Sequence, residues 1–263
     1  MRLYSRSVIA GLVCLVWLLA ALCGRAGVGM MDAGVAGVAG FVPTGLPGLA
    51  LWLDVCRIGP TNGTGSVGLW NDFSGAAVHA TQGTGSQQPT VAAGVASGRN
   101  AVRFDGVDDF LQTANFAAAL STPMTVFLVW RSASFPSGAH VIMANSGGNN
   151  FGFHNDGTTT PRAYLMNGGV VDTYAVSVTD FTVIDVVWNG NSSRYSTNNA
   201  AFIAAAAGTT GTTLAGLVLG RVLTAYYWGG WIAEVIVYNR DLAAAEHAEV
   251  GRYLCNKYGI LTR

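Results

Sequence analysis

Carboxylate catalysis needs two acidic groups in one cleft, and this chain is poor in the residues that would supply them. Its three glutamates, Glu234, Glu246 and Glu249, all lie in the last 30 residues. Glu234 stands alone in an apolar run, with Asp241 seven residues on. Retaining glycoside hydrolysis places an acid and a nucleophile about 5 Å apart, and no segment offers that pair. The histidines, His79, His140, His154 and His247, show no metal-ligand spacing. Gly-x-Ser-x-Gly, His-Glu-x-x-His and nucleotide-holding Gly-x-x-x-x-Gly-Lys segments are all missing from the sequence. No catalytic residue is assigned, and the chain reads as a protein that is not an enzyme and takes no nucleotide.

Two clusters remain that could hold a ligand. Asp105, Asp108 and Asp109 form the densest acidic group. Hard oxygen ligands this close in sequence suit Ca2+. The competing reading is structural: Asp105-Gly106 makes a tight turn, and the Asp105 carboxylate bonds nearby backbone N–H groups. The second cluster is Tyr226-Tyr227-Trp228-Gly229-Gly230-Trp231. Exposed rings in a glycine-rich loop can stack on sugars, so Tyr226, Tyr227, Trp228 and Trp231 are the candidate ligand-binding residues. Against that stands the reading that these rings plug the end of the fold.

Positioning either cluster requires a rigid frame, and the pattern for one is strong. Hydrophobic residues make up 51% of the chain and charged residues 11%, with 35 glycines and 7 prolines. That composition buries a large core and suits short strands joined by tight turns. Thr125–Trp130 and Thr182–Trp188 are continuous apolar runs of buried strands. Further strands are expected over Leu49–Leu53, Ala101–Phe104, His140–Ala144, Asn150–His154, Arg194–Thr197, Leu217–Arg221 and Trp231–Tyr238. Ala163–Met166 and Val170–Tyr174 flank Asn167-Gly168-Gly169, a hairpin signal. One helix is expected over Leu242–Lys257, with Asp241 as N-cap and Gly259 as stop. Trp52, Trp130 and Trp188 fall in strand patterns and are assigned to the core.

Taken together, LWLDV at 51–55, WNDFSG at 70–75, AVRFDGVDDFL at 101–111 and AEVIVYNRDLAAAEHAEVGRYLCNKYGI at 233–260 resemble the bacterial laminin G-like jelly rolls of the concanavalin A-like superfamily. The resemblance implies an all-β fold: a two-sheet antiparallel jelly-roll β-sandwich with a short C-terminal helix. It implies six or seven strands per sheet and adjacent first and last strands. It fixes no ligand, since such folds host many functions. With the two ends adjacent, Cys56 and Cys255 could meet in a disulfide; the alternative is two buried free thiols.

Arg2 and Arg6 precede an apolar run from Val8 to Cys23 and the small-residue stretch Gly24-Arg25-Ala26. This reads as a secretory signal peptide over residues 1–26. Two other readings stay open, a lipoprotein box ending at Cys23 and a true start at Met30 or Met31. Residues 27–45 are read as a Gly/Ala-rich linker or arm, and 46–263 as the jelly-roll domain. Net charge is zero with 14 basic and 14 acidic residues, and Lys257 is the only lysine, so nucleic acid is excluded as a partner. The expectation is a secreted or cell-surface carbohydrate-binding or adhesion module, whose partner is a glycan or a cell-surface or neighbouring protein. The alternative is a structural or decoration protein of a virion.

Overall fold

A computed structural model describes residues 40–58, 65–133, 140–146, 148–155, 162–166, 170–175, 180–205, 213–222 and 226–262. The expected signal peptide, most of the arm and the Asn167-Gly168-Gly169 turn lie outside these residues. Among the described residues the strands run in chain order as β1 (Leu49–Asp54), β2 (Leu69–Trp70), β3 (Ala80–Thr81), β4 (Thr90–Ala96), β5 (Arg99–Asp105), β6 (Leu111–Thr113), β7 (Leu120–Ser121), β8 (Met124–Ser132) and β9 (His140–Asn145). They continue as β10 (Gly148–Asn155), β11 (Arg162–Met166), β12 (Val170–Ala175), β13 (Thr182–Trp188), β14 (Arg194–Thr197), β15 (Ile203–Ala204), β16 (Thr213–Leu214), β17 (Leu217–Leu219) and β18 (Gly229–Tyr238). Helix α1 (Ala244–Tyr258) closes the chain.

The first sheet has the order β15-β14-β13-β8-β18-β5-β4, and β1 joins at β18. The second has the order β12-β11-β10-β9-β17-β6-β3-β2, and β7 pairs with β16. The strand pairs are antiparallel. The result is the expected all-β sandwich, with first and last strands paired. Each sheet has eight strands rather than six or seven. The extra ones are two-residue strands, too short to show a period.

The continuous apolar runs have a physical reason. In β8, β13 and β18 one face packs into the core and the other lies under α1, so alternation disappears. One large cluster joins both sheets, with Phe104, Trp130 and Ile232 from the first and Leu111, Ile142 and Leu219 from the second. Trp52, Trp130 and Trp188 are buried as expected. The folded unit takes in residues that the sequence assigned to the arm. Pro43 is buried, its carbonyl accepts from Tyr238 Oη at 3.0 Å, and the Phe41 ring lies 5.5 Å from Tyr253.

Two expectations at the helix are corrected. The N-cap is Ala243, not Asp241. Alanine has no side-chain acceptor, so the end is held by Glu246 Oε2, which accepts from Ala243 N–H at 2.7 Å. Asp241 is engaged elsewhere, by Arg194 Nη2 at 2.7 Å and His247 Nε2 at 3.3 Å. Cys255 forms no disulfide with Cys56: it is a free thiol on the buried stripe of α1, where burial pushes it up to about 11. There it packs as a small apolar group.

Helix and sheet are joined by two buried polar networks. In the first, Lys257 Nζ donates to Glu234 Oε2 at 2.7 Å and pairs with Asp54 Oδ1 at 2.8 Å. Glu234 also accepts from Trp52 Nε1, Tyr253 Oη and Tyr258 Oη at 2.7–2.9 Å. In the second, His247 Nδ1–H donates to Asp185 Oδ2 at 2.7 Å, with Phe202 edge-on to the imidazole at 4.8 Å. Burial alone would lower the His247 pKa; bonds and charge from Asp185 and Asp241 outweigh it and hold the ring above its ordinary value. Burial pushes the Asp185 carboxyl up to about 6, against the pull of His247.

Removing the cation should be costly, because Glu234 would stay buried with no counter-charge and Asp54 would keep only the Arg57 guanidinium at 3.4 Å. Lys257→Met is expected to lose about 3–5 kcal/mol in urea unfolding. Both members of the second network bind protons more tightly when folded, so their contribution falls as pH rises. Asp185's share is lost between about 3.8 and 6, and His247's from 6.5 upward through its raised folded value. A pH–stability profile of the Asp185→Asn/His247→Gln double variant should lack the decline above pH 6.5 that the wild type shows, because both groups that bind a proton more tightly when folded are then gone.

Candidate functional site

The aromatic cluster does not form one platform. Trp228 is 1% exposed; its ring lies 5.9 Å from Phe104 and 6.2 Å from Trp130, and its Nε1 donates to Ser132 Oγ at 3.1 Å. It is core, and this corrects its assignment as a ligand contact. The neighbouring glycine explains why. A Cβ on Gly230 would collide with the Trp228 ring and stand 2.5 Å from the Arg131 carbonyl. The glycine makes room for the folded-back indole rather than lending the loop freedom. Trp231 pairs with Arg103 and Arg131, on the opposite face from Phe104, and the Arg131 guanidinium lies 4.1 Å from its ring centre. Only Tyr226, 51% exposed at φ +58°, and the half-buried Tyr227 remain at the rim of the sandwich.

The acidic trio is brought together. Asp105, Asp108 and Asp109 each offer a carboxylate oxygen within 4.8 Å of the others, the donor set a hard cation takes. Backbone bonds account for much of the arrangement. Asp105 Oδ1 faces the N–H groups of Val107, Asp108 and Asp109 at 2.8, 3.3 and 3.4 Å, and Asp109 Oδ2 accepts from Asp105 N–H at 2.9 Å. This is the turn that the structural reading of Asp105-Gly106 anticipated. Burial first, then the charges of Asp105 and Asp108, raise the Asp109 carboxyl to about 6, with the Asp105 N–H opposing them.

Directly after the trio, Phe110 connects the rim to a cavity. The Arg221 guanidinium stands 3.3 Å from the Phe110 ring centre, and its Nη1 donates to Tyr227 Oη at 3.3 Å. Phe110 also lines a cavity of ≈ 430 Å³ on the second sheet, shared with His79, Thr81, Gln82 and Gln112. Thr81 and Gln112 are register partners on β3 and β6. Leu111 and Thr113 turn inward, so the alternation of the strand sends Gln112 out.

The loop between β2 and β3 places His79. Asp72 is its hub: Oδ1 accepts from Trp52 N–H and Ser74 N–H, and Oδ2 from Val78 N–H and Ser74 Oγ, all at 2.8–3.0 Å. Asp72 N–H donates to His79 Nδ1 at 3.0 Å. With Nδ1 accepting, the neutral ring carries its hydrogen on Nε2. Gln82 is 7% exposed, and its Oε1 accepts from Thr84 N–H at 2.8 Å. His79, Gln82, Phe110 and Gln112 were not singled out as ligand contacts from the sequence. They come from two short segments, 79–82 and 110–112, that lie far apart in the chain; the one local signal is Gln112, a polar residue between two inward-facing ones. A second cavity of ≈ 470 Å³ opens beside the C-terminus of α1, lined by Arg131, Asp180, Phe181 and Tyr258 among others.

The chain matches no protein-family model and no curated protein. Solved structures do match. Trypanosoma rangeli sialidase in complex with sialic acid is similar at TM-score 0.58 and 14% identity, over 89% of this chain and 37% of that one. Domain 4 of AbnA, a GH43 extracellular arabinanase from Geobacillus stearothermophilus, in complex with arabinotriose, is similar at TM-score 0.54 and 13% identity, over 77% of this chain and 98% of that one. The botulinum neurotoxin type G receptor binding domain is similar at TM-score 0.56 and 10% identity, over 78% and 51%. This chain spans about a third of the length of the sialidases it matches. At these identities what is shared is the β-sandwich fold.

The split of the aromatic cluster is measurable. Trp228→Ala is expected to cost about 3–5 kcal/mol of unfolding free energy, and Tyr226→Ala within about 0.5 kcal/mol, both read from denaturant midpoints.

Proposed function

We propose that this protein is a non-catalytic, extracellular glycan-binding module, and that the cavity between Phe110 and His79 is its binding site. The observation that carries the reading is the make-up of that cavity. One aromatic ring, the donor–acceptor groups of Thr81 and Gln112, and an oriented imidazole line one concave surface. A sugar presents an apolar ring face and a rim of hydroxyl groups, and this surface matches both. No carboxylate stands among the described residues that line it. Glu234, Asp54 and Asp185 are buried in the networks that hold α1, which leaves them no substrate to act on. The shared fold of AbnA domain 4, a complex with arabinotriose, supports a saccharide ligand. The leader-like residues 1–26 support export.

Calorimetric titration with arabinotriose, maltotriose and mannotriose tests this. At least one should bind saturably and be recovered uncleaved after prolonged incubation. Phe110→Ala and Gln112→Ala should each weaken that binding by at least about tenfold, or about 1.4 kcal/mol, without lowering the melting temperature by more than a few degrees. Absence of saturable binding, or release of shorter sugars, would overturn the reading.

A further inference from the structure

Lys257, Glu234 and Asp54 form a set that does more than a salt bridge requires. Lys257 is the chain's only lysine, and its side chain is 11% exposed. Its one ammonium meets two buried carboxylates, Glu234 Oε2 at 2.7 Å and Asp54 Oδ1 at 2.8 Å. Asp54 and Glu234 stand directly opposite each other on β1 and β18, the cross-strand position at which like charges repel. Replacing such a set by apolar side chains is often neutral or stabilising, so stability alone gives no reason for it. Each member has a chemical role open to it. With Nζ this close to a carboxyl oxygen, the carboxyl carbon of Asp54 is within reach of the nitrogen lone pair once a proton is lost. Glu234 can take that proton, since its Oε2 already accepts from Nζ. Burial raises its carboxyl above the ordinary value, which favours the form that holds a proton. Asp54 Oδ1 accepts from Cys56 N–H at 3.0 Å, and Oδ2 faces Arg57 Nε at 3.4 Å. These donors draw charge from the carboxyl carbon and would hold the oxyanion that forms on attack.

We propose that Lys257 and Asp54 condense to an intramolecular amide, an isopeptide bond between α1 and β1, with Glu234 as the proton carrier. Nζ gives a proton to Glu234, and its lone pair attacks Asp54 Cγ. The Nζ–Cγ bond forms and the Cγ–Oδ2 bond breaks. The two protons that the ammonium loses pass through Glu234 to Oδ2 and leave with it as water, and Glu234 ends as it began. One positive and one negative charge cancel, so two buried ions become a neutral amide, which relieves the desolvation they carried. The step consumes no oxidant, reductant or cofactor. Its product fastens the first strand to the closing helix. As with any cross-link, part of its effect falls on the unfolded chain, whose distant segments it keeps together.

Mass spectrometry of tryptic peptides from the purified, denatured and reduced full-length protein tests this. Trypsin cuts after lysine and arginine, and an amidated Lys257 is passed over. In the wild type the peptide that ends at Arg57 should emerge joined to the one that follows Arg252 and runs through Lys257. Its mass should be the sum of the two less one water. Glu234→Gln keeps the side-chain volume and an acceptor for Nζ but cannot carry the proton. That variant, with its native fold checked by circular dichroism, should release the two peptides separately. Asp54→Ala should do the same. The wild-type result stands whether or not the variants fold. Separate peptides from the wild type, after prolonged incubation at neutral and alkaline pH, would overturn the proposal. A folded Glu234→Gln variant that cross-links as fully as the wild type would overturn it as well.

Discussion

The whole arrangement turns on burying one ammonium group. Lys257, the chain's only lysine, sits between Glu234 and Asp54 under α1. Glu234 reaches it because of a bulge in β18. Ile232 pairs with Trp130 and Glu234 pairs with Val129, neighbours on β8 that face opposite ways. Without the bulge Glu234 would share a face with Ile232 and point into the sandwich core. With it, the carboxylate meets Lys257, Tyr253, Tyr258 and the Trp52 indole. Burial raises the Glu234 carboxyl above its ordinary value and Lys257 opposes that. Such a cluster gives little stability over a well-packed apolar one, but it tolerates few alternative placements of the helix.

That clamp has consequences at the opposite surface. The strand that carries the bulge also pairs along one edge with both β5 and β1. β5 runs into the Asp105–Asp109 turn and Phe110; β1 gives the Trp52 N–H that Asp72 binds. Asp72 in turn orients His79. Both walls of the cavity are thus carried by strands registered on β18. The loops contribute groups, and the sheet fixes where they stand.

Much of the frame was legible in the sequence. The runs at 125–130, 182–188 and 231–238 announce themselves because both faces of those strands are covered, which leaves no charged residue but Asp185 and Glu234, each tied to α1. The helix was legible through its stripe and Gly259, while its start was misjudged because Asp241 answers Arg194 and His247 instead of the backbone. β4 went unseen because Ala92, Ala93 and Gly94 carry no period. Trp228 was misread for a reason of packing: glycines beside an aromatic describe an exposed loop as well as they describe a ring folded against its own backbone. Likewise, two cysteines near the ends of a sandwich suggested a bridge, and nothing local to Cys255 marks it as facing the core. The cavity was the least legible part. His79 and Gln82 come from one segment and Phe110 and Gln112 from another about 30 residues on, and what unites the two is the β3–β6 register, a tertiary fact.

The most direct test of a binding face on the second sheet is a residue-resolved map of ligand contact by NMR titration of isotope-labelled protein with arabinotriose. Saturable shifts should gather at residues 79–83 and 110–114 and include the side-chain amide of Gln112. Resonances of Arg131, Phe181 and Tyr258, at the second cavity, should stay in place. Shifts confined to that second cavity, or shifts nowhere, would contradict the account.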